Sequence, residues 1–161
     1  MNDNTDNINV SEYEDKFKQT LDAAVDTALW STMPTPHDMG DQFIEHADQY
    51  IIDDAEMTKL RGTIAYFLSA WFVANIELIE STVDAWETYG WDQVGHDWWL
   101  DTQGHGAGFW DRGLGSAGDK LSESAQGHDD IVNMYLDDDS EHLLIDTYNV
   151  VTFNDKLSDL V

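Results

Sequence analysis

Two histidines and two aspartates near the middle of the chain are the residues whose types best suit metal chemistry. They surround a glycine-rich stretch and are His96, Asp97, His105 and Asp111. Imidazole nitrogens and carboxylate oxygens are ligands that Zn²⁺ accepts, and a hairpin would bring such side chains together. Because no tight zinc motif such as His-Glu-x-x-His accompanies them, we favour hairpin packing, hydrogen bonding or partner contact over metal binding. We therefore predict no metal and no other cofactor.

Side chains for nucleophilic catalysis form no recognisable arrangement along the sequence. The chain has no cysteine, and a Ser-His-Asp triad cannot be assigned from sequence spacing alone. We predict no catalytic residue and no enzymatic activity.

Negative charge dominates the composition. The chain of 161 residues has 33 acidic side chains against 7 Lys and Arg, which gives a formal net charge of −26. Such a chain repels nucleic acids and anionic membranes and attracts basic proteins. We therefore exclude nucleic acid and membrane as direct partners and predict a basic protein partner.

Eight of the acidic residues recur at helical spacing in two segments that we predict to be helices. They are Glu12, Asp15, Asp22, Asp26, Asp38, Asp41, Glu45 and Asp48. Duplex DNA carries one negative charge per about 1.7 Å of its axis, and carboxylates on two packed helices approximate such an array. We predict that these residues form an acidic face that enters the basic groove of a partner. The alternatives are a solvated face that maintains solubility and the Asp-rich surface of a halophilic protein.

Helical periodicity fills the first half of the chain. A capping-box pattern beginning at Ser11 predicts a helix that ends near Trp30. Two prolines then break the chain, and a second helix is predicted over 38–52. A third, central helix is predicted to reach about Tyr89, because apolar residues cover much of its circumference. Its most apolar stretch, 64–76, is shorter than the roughly 20 residues that span a membrane.

Short aromatic and polar runs after Gly90 predict two hairpins. The predicted elements are strands 97–102 and 107–111, a short helix 119–126, and strands 131–136 and 142–147. Neighbouring residues of a strand point to opposite faces, so Trp98 and Trp99 cannot both lie in the core. One of them must rest under a loop or reach a partner. We add Trp99 and Trp110 to the two histidines and two aspartates above as a second, weaker partner-binding set, with packing inside the molecule as the alternative.

The predicted fold class is α+β. About three N-terminal helices pack on a small antiparallel sheet built from two C-terminal hairpins with a short helix between them. A disordered leader, 1–10, precedes a single domain, 11–161, which has a helical part, 11–89, and a hairpin part, 91–150.

A run of rare residue types stands in the predicted hairpin part. It reads QVGHDWWLDTQGHGAGFWDRGLG at 93–115 and GDKLS at 118–122. This run resembles an uncharacterised family of small acidic bacteriophage proteins, in which an aromatic strand, a Gly-His-Gly turn, a Gly-Phe-Trp-Asp-Arg strand and a short helix follow one another. The resemblance implies phage origin. Relatives tend to carry Thr, Arg and Asn where this chain has Asp101, Thr102 and Gln103, so no role of that arginine is carried over.

The acidic composition and this resemblance together predict a function. We expect a phage-encoded protein of DNA-mimic type that binds and inhibits a basic host nucleic-acid-binding enzyme, such as a restriction, CRISPR or repair nuclease or a glycosylase. Anti-defence activity or host takeover would be its purpose, and the host cytoplasm its location. The alternative is a structural or assembly protein of the virion whose acids serve solubility. A homodimer remains an open alternative to a monomer.

Overall fold

The computed structural model describes residues 13–38, 43–127 and 130–147, and these ranges are mostly helical. Their helices are α1 (Glu14–Ser31), α2 (Asp54–Ala74), α3 (Ile76–Ala85), α4 (Trp91–Gln103) and α5 (Ser116–Ala125). Two 3₁₀ turns, Ala47–Gln49 and Phe109–Asp111, stand between them, and two strands, β1 (Asn133–Leu136) and β2 (Leu143–Asp146), follow.

Helices α1 and α4 make the most extensive contact between elements in the described ranges. A glycine permits it: a Cβ atom on Gly95 would lie 1.9 Å from the carbonyl oxygen of Thr20. The Thr20 hydroxyl also donates to the carbonyl of Trp91, at 3.1 Å. The two helices therefore approach one another at backbone distance.

The predicted third helix is wrong as a single element, because the chain bends by 80° between α2 and α3. At the bend, both the backbone N–H of Asn75 and its side-chain amide donate to the carbonyl oxygen of Trp71. This local bonding satisfies the end of α2 and starts a new helix in another direction. In the described ranges no single helix is long and apolar enough to cross a membrane, although the bent pair meets the criterion when taken together.

The second predicted hairpin is present. Strands β1 and β2 pair antiparallel, with Met134 opposite Ile145 and Leu136 opposite Leu143, and these four side chains are buried. In the turn, Asp139 accepts hydrogen bonds from the N–H groups of Glu141 and His142 and from the imidazole of His142. These bonds lower the pKa of Asp139, and the side-chain bond to Asp139 raises the pKa of His142.

The first predicted hairpin is wrong, and with it the fold class of two hairpins flanking a helix. Segment 97–102 lies within α4, and 107–111 is a loop that ends in a 3₁₀ turn. Gly104 ends α4 with a φ of 65°, which is the left-handed C-cap of a helix and not the turn of a hairpin. The strand preference of aromatic residues depends on context, and here the segment packs on α1 as a helix at backbone distance. The described sheet therefore has two strands.

The predicted second helix, 38–52, is also absent from its described residues, 38 and 43–52. The N–H of Ala47 bonds to the carbonyl of Thr32, and the backbone of Ile51 bonds to Glu141 and Leu143. These backbone groups are engaged by α1's end and by the hairpin, so they cannot make helical bonds. Long-range pairing has overridden the local helical pattern.

Candidate functional site

Three of the predicted acidic residues form a solvent-facing row on α1. Asp15, Asp22 and Asp26 are exposed, and along the helix axis they are separated by about 10 and 6 Å. The opposite side of α1 is buried in the core through Phe17, Leu21, Ala24, Val25 and Ala28. Asp22 is paired with Arg61, whose Nη2 lies 2.6 Å from its Oδ1.

The other predicted acidic residues do not extend this row as a second helical stripe. Asp38, Glu45 and Asp48 are exposed, but they lie on irregular chain and in a 3₁₀ turn. Glu12 and Asp41 lie outside the described residues. Asp48 nevertheless stays close to α1, because neighbouring Ala47 hydrogen bonds to Thr32, the residue that follows α1, at 2.8 Å. The structure therefore gives a regular row of acids on α1 only, while Asp38, Glu45 and Asp48 lie on irregular chain and in a 3₁₀ turn.

The weaker partner-binding set contains a buried carboxylate. Asp97 is fully buried in α4. Its Oδ2 accepts the Tyr89 hydroxyl at 2.7 Å, and its Oδ1 accepts Arg112 Nε and Nη2 at 3.0 and 2.9 Å. Gln93 Nε2 and His96 Nδ1 also lie within 3.2 and 3.0 Å of Oδ1. Asp97 is therefore an internal anchor and cannot reach a partner.

This carboxylate changes the titration of its neighbours. Burial and the charge of Asp97 both raise the pKa of Tyr89, so its phenol stays protonated and continues to donate. Burial opposes the charge of Arg112, but the hydrogen bond and attraction from Asp97 prevail and raise the Arg112 pKa. The network is thus a neutral phenol and a permanent cation around one carboxylate.

A second carboxylate, one turn further along α4, binds the same loop. Asp101 Oδ2 accepts the N–H of Phe109 at 2.9 Å and the Ser122 hydroxyl at 2.8 Å. The carboxylate occupies the space beside Gly108 where a Cβ atom would lie. Burial raises the pKa of Asp101, although these two hydrogen bonds oppose the shift. Together, Asp97 and Asp101 attach the 108–112 loop to α4.

The remaining members of the weaker set are dispersed. Trp99 is buried and donates to Ser31 Oγ at 3.2 Å, so its predicted role in partner contact is wrong. Its neighbour Trp98 is buried as well, because adjacent residues of a helix enclosed on several sides can both lie in the core. His105, Trp110 and Asp111 are exposed. Among the described residues, no group of three or more His, Asp or Glu is placed to hold a metal ion.

Sequence reasoning missed an apolar groove beside the end of α1. Trp30, Met33 and Phe43 are 44%, 52% and 89% exposed, and they line a cavity of about 530 Å³. The same cavity is bordered by Glu45 and Asp48 of the acidic set. The available signal was Trp30 itself, a large aromatic residue at the end of the predicted first helix and just before the proline break.

Sequence reasoning also missed Tyr89, Gln93 and Arg112 as partners of Asp97. The spacing of Gln93 and Asp97, four residues apart, would have been the signal, had the segment been predicted as a helix.

No family model, no curated protein and no solved structure matches this chain. Function therefore has to be argued from the chemistry of the surface.

Proposed function

We propose that this protein binds a basic nucleic-acid-binding enzyme of its host and inhibits it by occupying the groove that receives nucleic acid. In this proposal the protein is encoded by a phage and acts in the host cytoplasm. It catalyses no reaction, and its carboxylates take the place of nucleic-acid phosphates in the groove of the enzyme. The observation that carries it is the exposed row of acids on α1, in which Asp22 is paired with Arg61 and Asp15 and Asp26 supply the net negative charge.

The charge balance supports this function because the chain cannot neutralise itself. Even if each of the 7 Lys and Arg paired with one carboxylate, 33 minus 7, or 26, acidic side chains would remain without a cationic partner. Concentrated negative charge attracts a positively charged groove and accelerates association. A basic protein supplies the missing cations.

The geometry supports a partial imitation of a nucleic-acid strand. The α1 row is linear and is fixed by the close packing of α1 on α4. Asp38, Glu45 and Asp48 lie on irregular chain and in a 3₁₀ turn, so they contribute charge without the regular spacing of an α-helix. The regular part of the imitation is therefore confined to one side of α1.

A competition experiment tests the proposal. A panel of purified host nucleases and glycosylases is mixed with fluorescently labelled duplex DNA, and displacement of the DNA by this protein is measured at low and high salt. We expect displacement of DNA from at least one enzyme, weakening steeply with salt because screening shortens electrostatic reach. Failure to displace DNA from any enzyme, or displacement indifferent to salt, would contradict the proposal.

Matched charge variants locate the surface. The double substitution Asp15→Asn and Asp26→Asn removes two charges from the α1 row, and we expect about tenfold weaker inhibition, equivalent to ~1.4 kcal/mol. The control, Glu77→Gln and Asp84→Asn, removes two exposed charges from α3. An equal loss in both variants would mean that net charge alone acts and that α1 is not the contact surface.

A further inference from the structure

One side chain and one backbone group of the apolar groove beside α1 are held by internal contacts. Trp30 stacks on His96, with ring centroids 5.6 Å apart and an interplanar angle of 26°. His96 is in turn bonded to buried Asp97. On the other wall, the N–H of Glu45 donates to the Tyr50 hydroxyl at 3.0 Å. Internal contacts thus hold the Trp30 ring and the Glu45 backbone, and a preorganised side chain lowers the entropic cost of binding.

The rim of this groove is negatively charged. Glu45 and Asp48 are exposed and border the cavity that Trp30, Met33 and Phe43 line. Exposed apolar groups rimmed by polar ones mark interaction sites. An occupant must therefore supply an apolar side chain for the groove and positive charges for the rim.

We propose that this groove binds a basic peptide segment of the partner, with one large apolar side chain seated against Trp30 and Met33 and with flanking Lys or Arg facing Glu45 and Asp48. This inference rests on the proposed function and adds a specificity-determining contact to it. Charge complementarity selects the occupant, since a second copy of a chain with net charge −26 would bring like charge to the rim.

Two labelled lysine-rich peptides of identical charge test the proposal. One peptide has a central Leu and the other has Ser at that position, and binding of each is measured by fluorescence anisotropy. We expect the Leu peptide to bind about tenfold more tightly, because only its side chain removes apolar surface from water. Equal affinities, or no binding of either peptide, would overturn the groove proposal.

Substitutions assign the preference to the groove. Met33→Gln with Phe43→Ser should abolish the preference for Leu and leave binding of the Ser peptide unchanged. The matched control is Ile51→Gln with Tyr66→Ser, since Ile51 is 52% exposed, as Met33 is, and Tyr66 is 47% exposed. The control should keep the preference. A preference that survives in the groove variant, or is lost in the control, would overturn the assignment.

The outcomes separate this inference from the proposed function. Equal, salt-sensitive binding of both peptides together with displacement of DNA would overturn the groove and leave the acidic inhibitor intact. A Leu preference without any displacement of DNA would support the groove and reject the inhibitor. Sedimentation that shows a dimer dissociated by the groove variant would overturn the peptide in favour of a second copy.

Discussion

Arg112 reaches back to α4 and donates from both Nε and Nη2 to the carboxylate of Asp97, a residue with no exposed surface. The contact joins the 3₁₀ turn at Phe109–Asp111 to the helix that packs on α1. Because Tyr89 donates to the same carboxylate, three segments of the chain meet at one side chain. Asp97 therefore holds together the 89–112 region, in which the first hairpin was predicted.

Removal of this carboxylate should be destabilising. Asp97→Ala removes the acceptor of the buried Tyr89 hydroxyl and of Arg112 Nε and Nη2. Because the Arg112 side chain is 31% exposed, water can solvate it, so the main cost is the buried Tyr89 donor left unsatisfied, about 1–3 kcal/mol. Urea unfolding followed by circular dichroism measures the free energy of unfolding. Asp92→Ala, at an exposed position of the same helix, should change that free energy by less than about 0.5 kcal/mol. Similar losses in both variants would contradict the anchoring role.

Burial of Asp101 predicts a pH dependence of opposite sign to that of a salt-bridged acid. Its pKa is raised by burial, so the folded state binds a proton more tightly than the unfolded state does. The stability contribution of Asp101 should therefore fall as pH rises from the unfolded pKa of about 3.9 through the raised folded pKa.

The variant Asp101→Asn measures this dependence. One oxygen of Asp101 accepts both hydrogen bonds, from Phe109 and Ser122, and an amide oxygen can replace it. We expect the variant to be at least as stable as the wild type at neutral pH and to lose that advantage as pH falls towards 4. Urea titrations across this range provide the comparison, with Asp92→Asn correcting for general charge effects. A wild-type advantage that grows with pH would contradict the burial argument.

Close approach of α1 and α4 predicts that an alanine at Gly95 is destabilising. Helix propensity alone would favour Ala over Gly by about 1 kcal/mol in a helix interior. The new Cβ atom would instead meet the carbonyl of Thr20, so the helices must separate, at a cost of typically 1–3 kcal/mol. The sign of the change in unfolding free energy decides between the two effects. A more stable Gly95→Ala protein would show that the helices can separate freely.

Local patterns in the sequence predicted α1 and the β1–β2 hairpin, because their stripes and turn residues act over a few positions. The 91–111 region could not be predicted in this way. Charged residues such as Asp97 and Asp101 are expected at the surface, but both are buried. Their carboxylates are satisfied by hydrogen bonds from Tyr89, Arg112 and the N–H of Phe109. A buried polar network depends on neighbours that are distant in sequence, so the local pattern of 97–102 predicted a strand where the structure has a core helix.

Of the candidate binding surface, the sequence predicted the acids of α1 but not the apolar groove. The α1 acids follow from helical spacing, whereas the apolar groove requires Phe43 to be brought beside Trp30 across the proline break. That placement depends on the Ala47–Thr32 hydrogen bond and on the pairing of Ile51 with the hairpin, neither of which has a local signature. These long-range hydrogen bonds engage backbone groups that the predicted helix over 38–52 would have needed.

Two adjacent tryptophans provide a matched pair for the cost of an unsatisfied donor. Trp98 and Trp99 are both almost fully buried, but Trp99 donates to Ser31, while Trp98 Nε1 has no hydrogen-bond partner among the described residues. Each substitution to Phe removes similar volume. Trp98→Phe also removes an N–H whose burial costs about 1–3 kcal/mol, whereas Trp99→Phe sacrifices a hydrogen bond. We therefore expect Trp98→Phe to lower the free energy of unfolding by about 1–3 kcal/mol less than Trp99→Phe does, as measured by urea denaturation. Equal losses would mean that the Trp98 N–H finds a partner in solution.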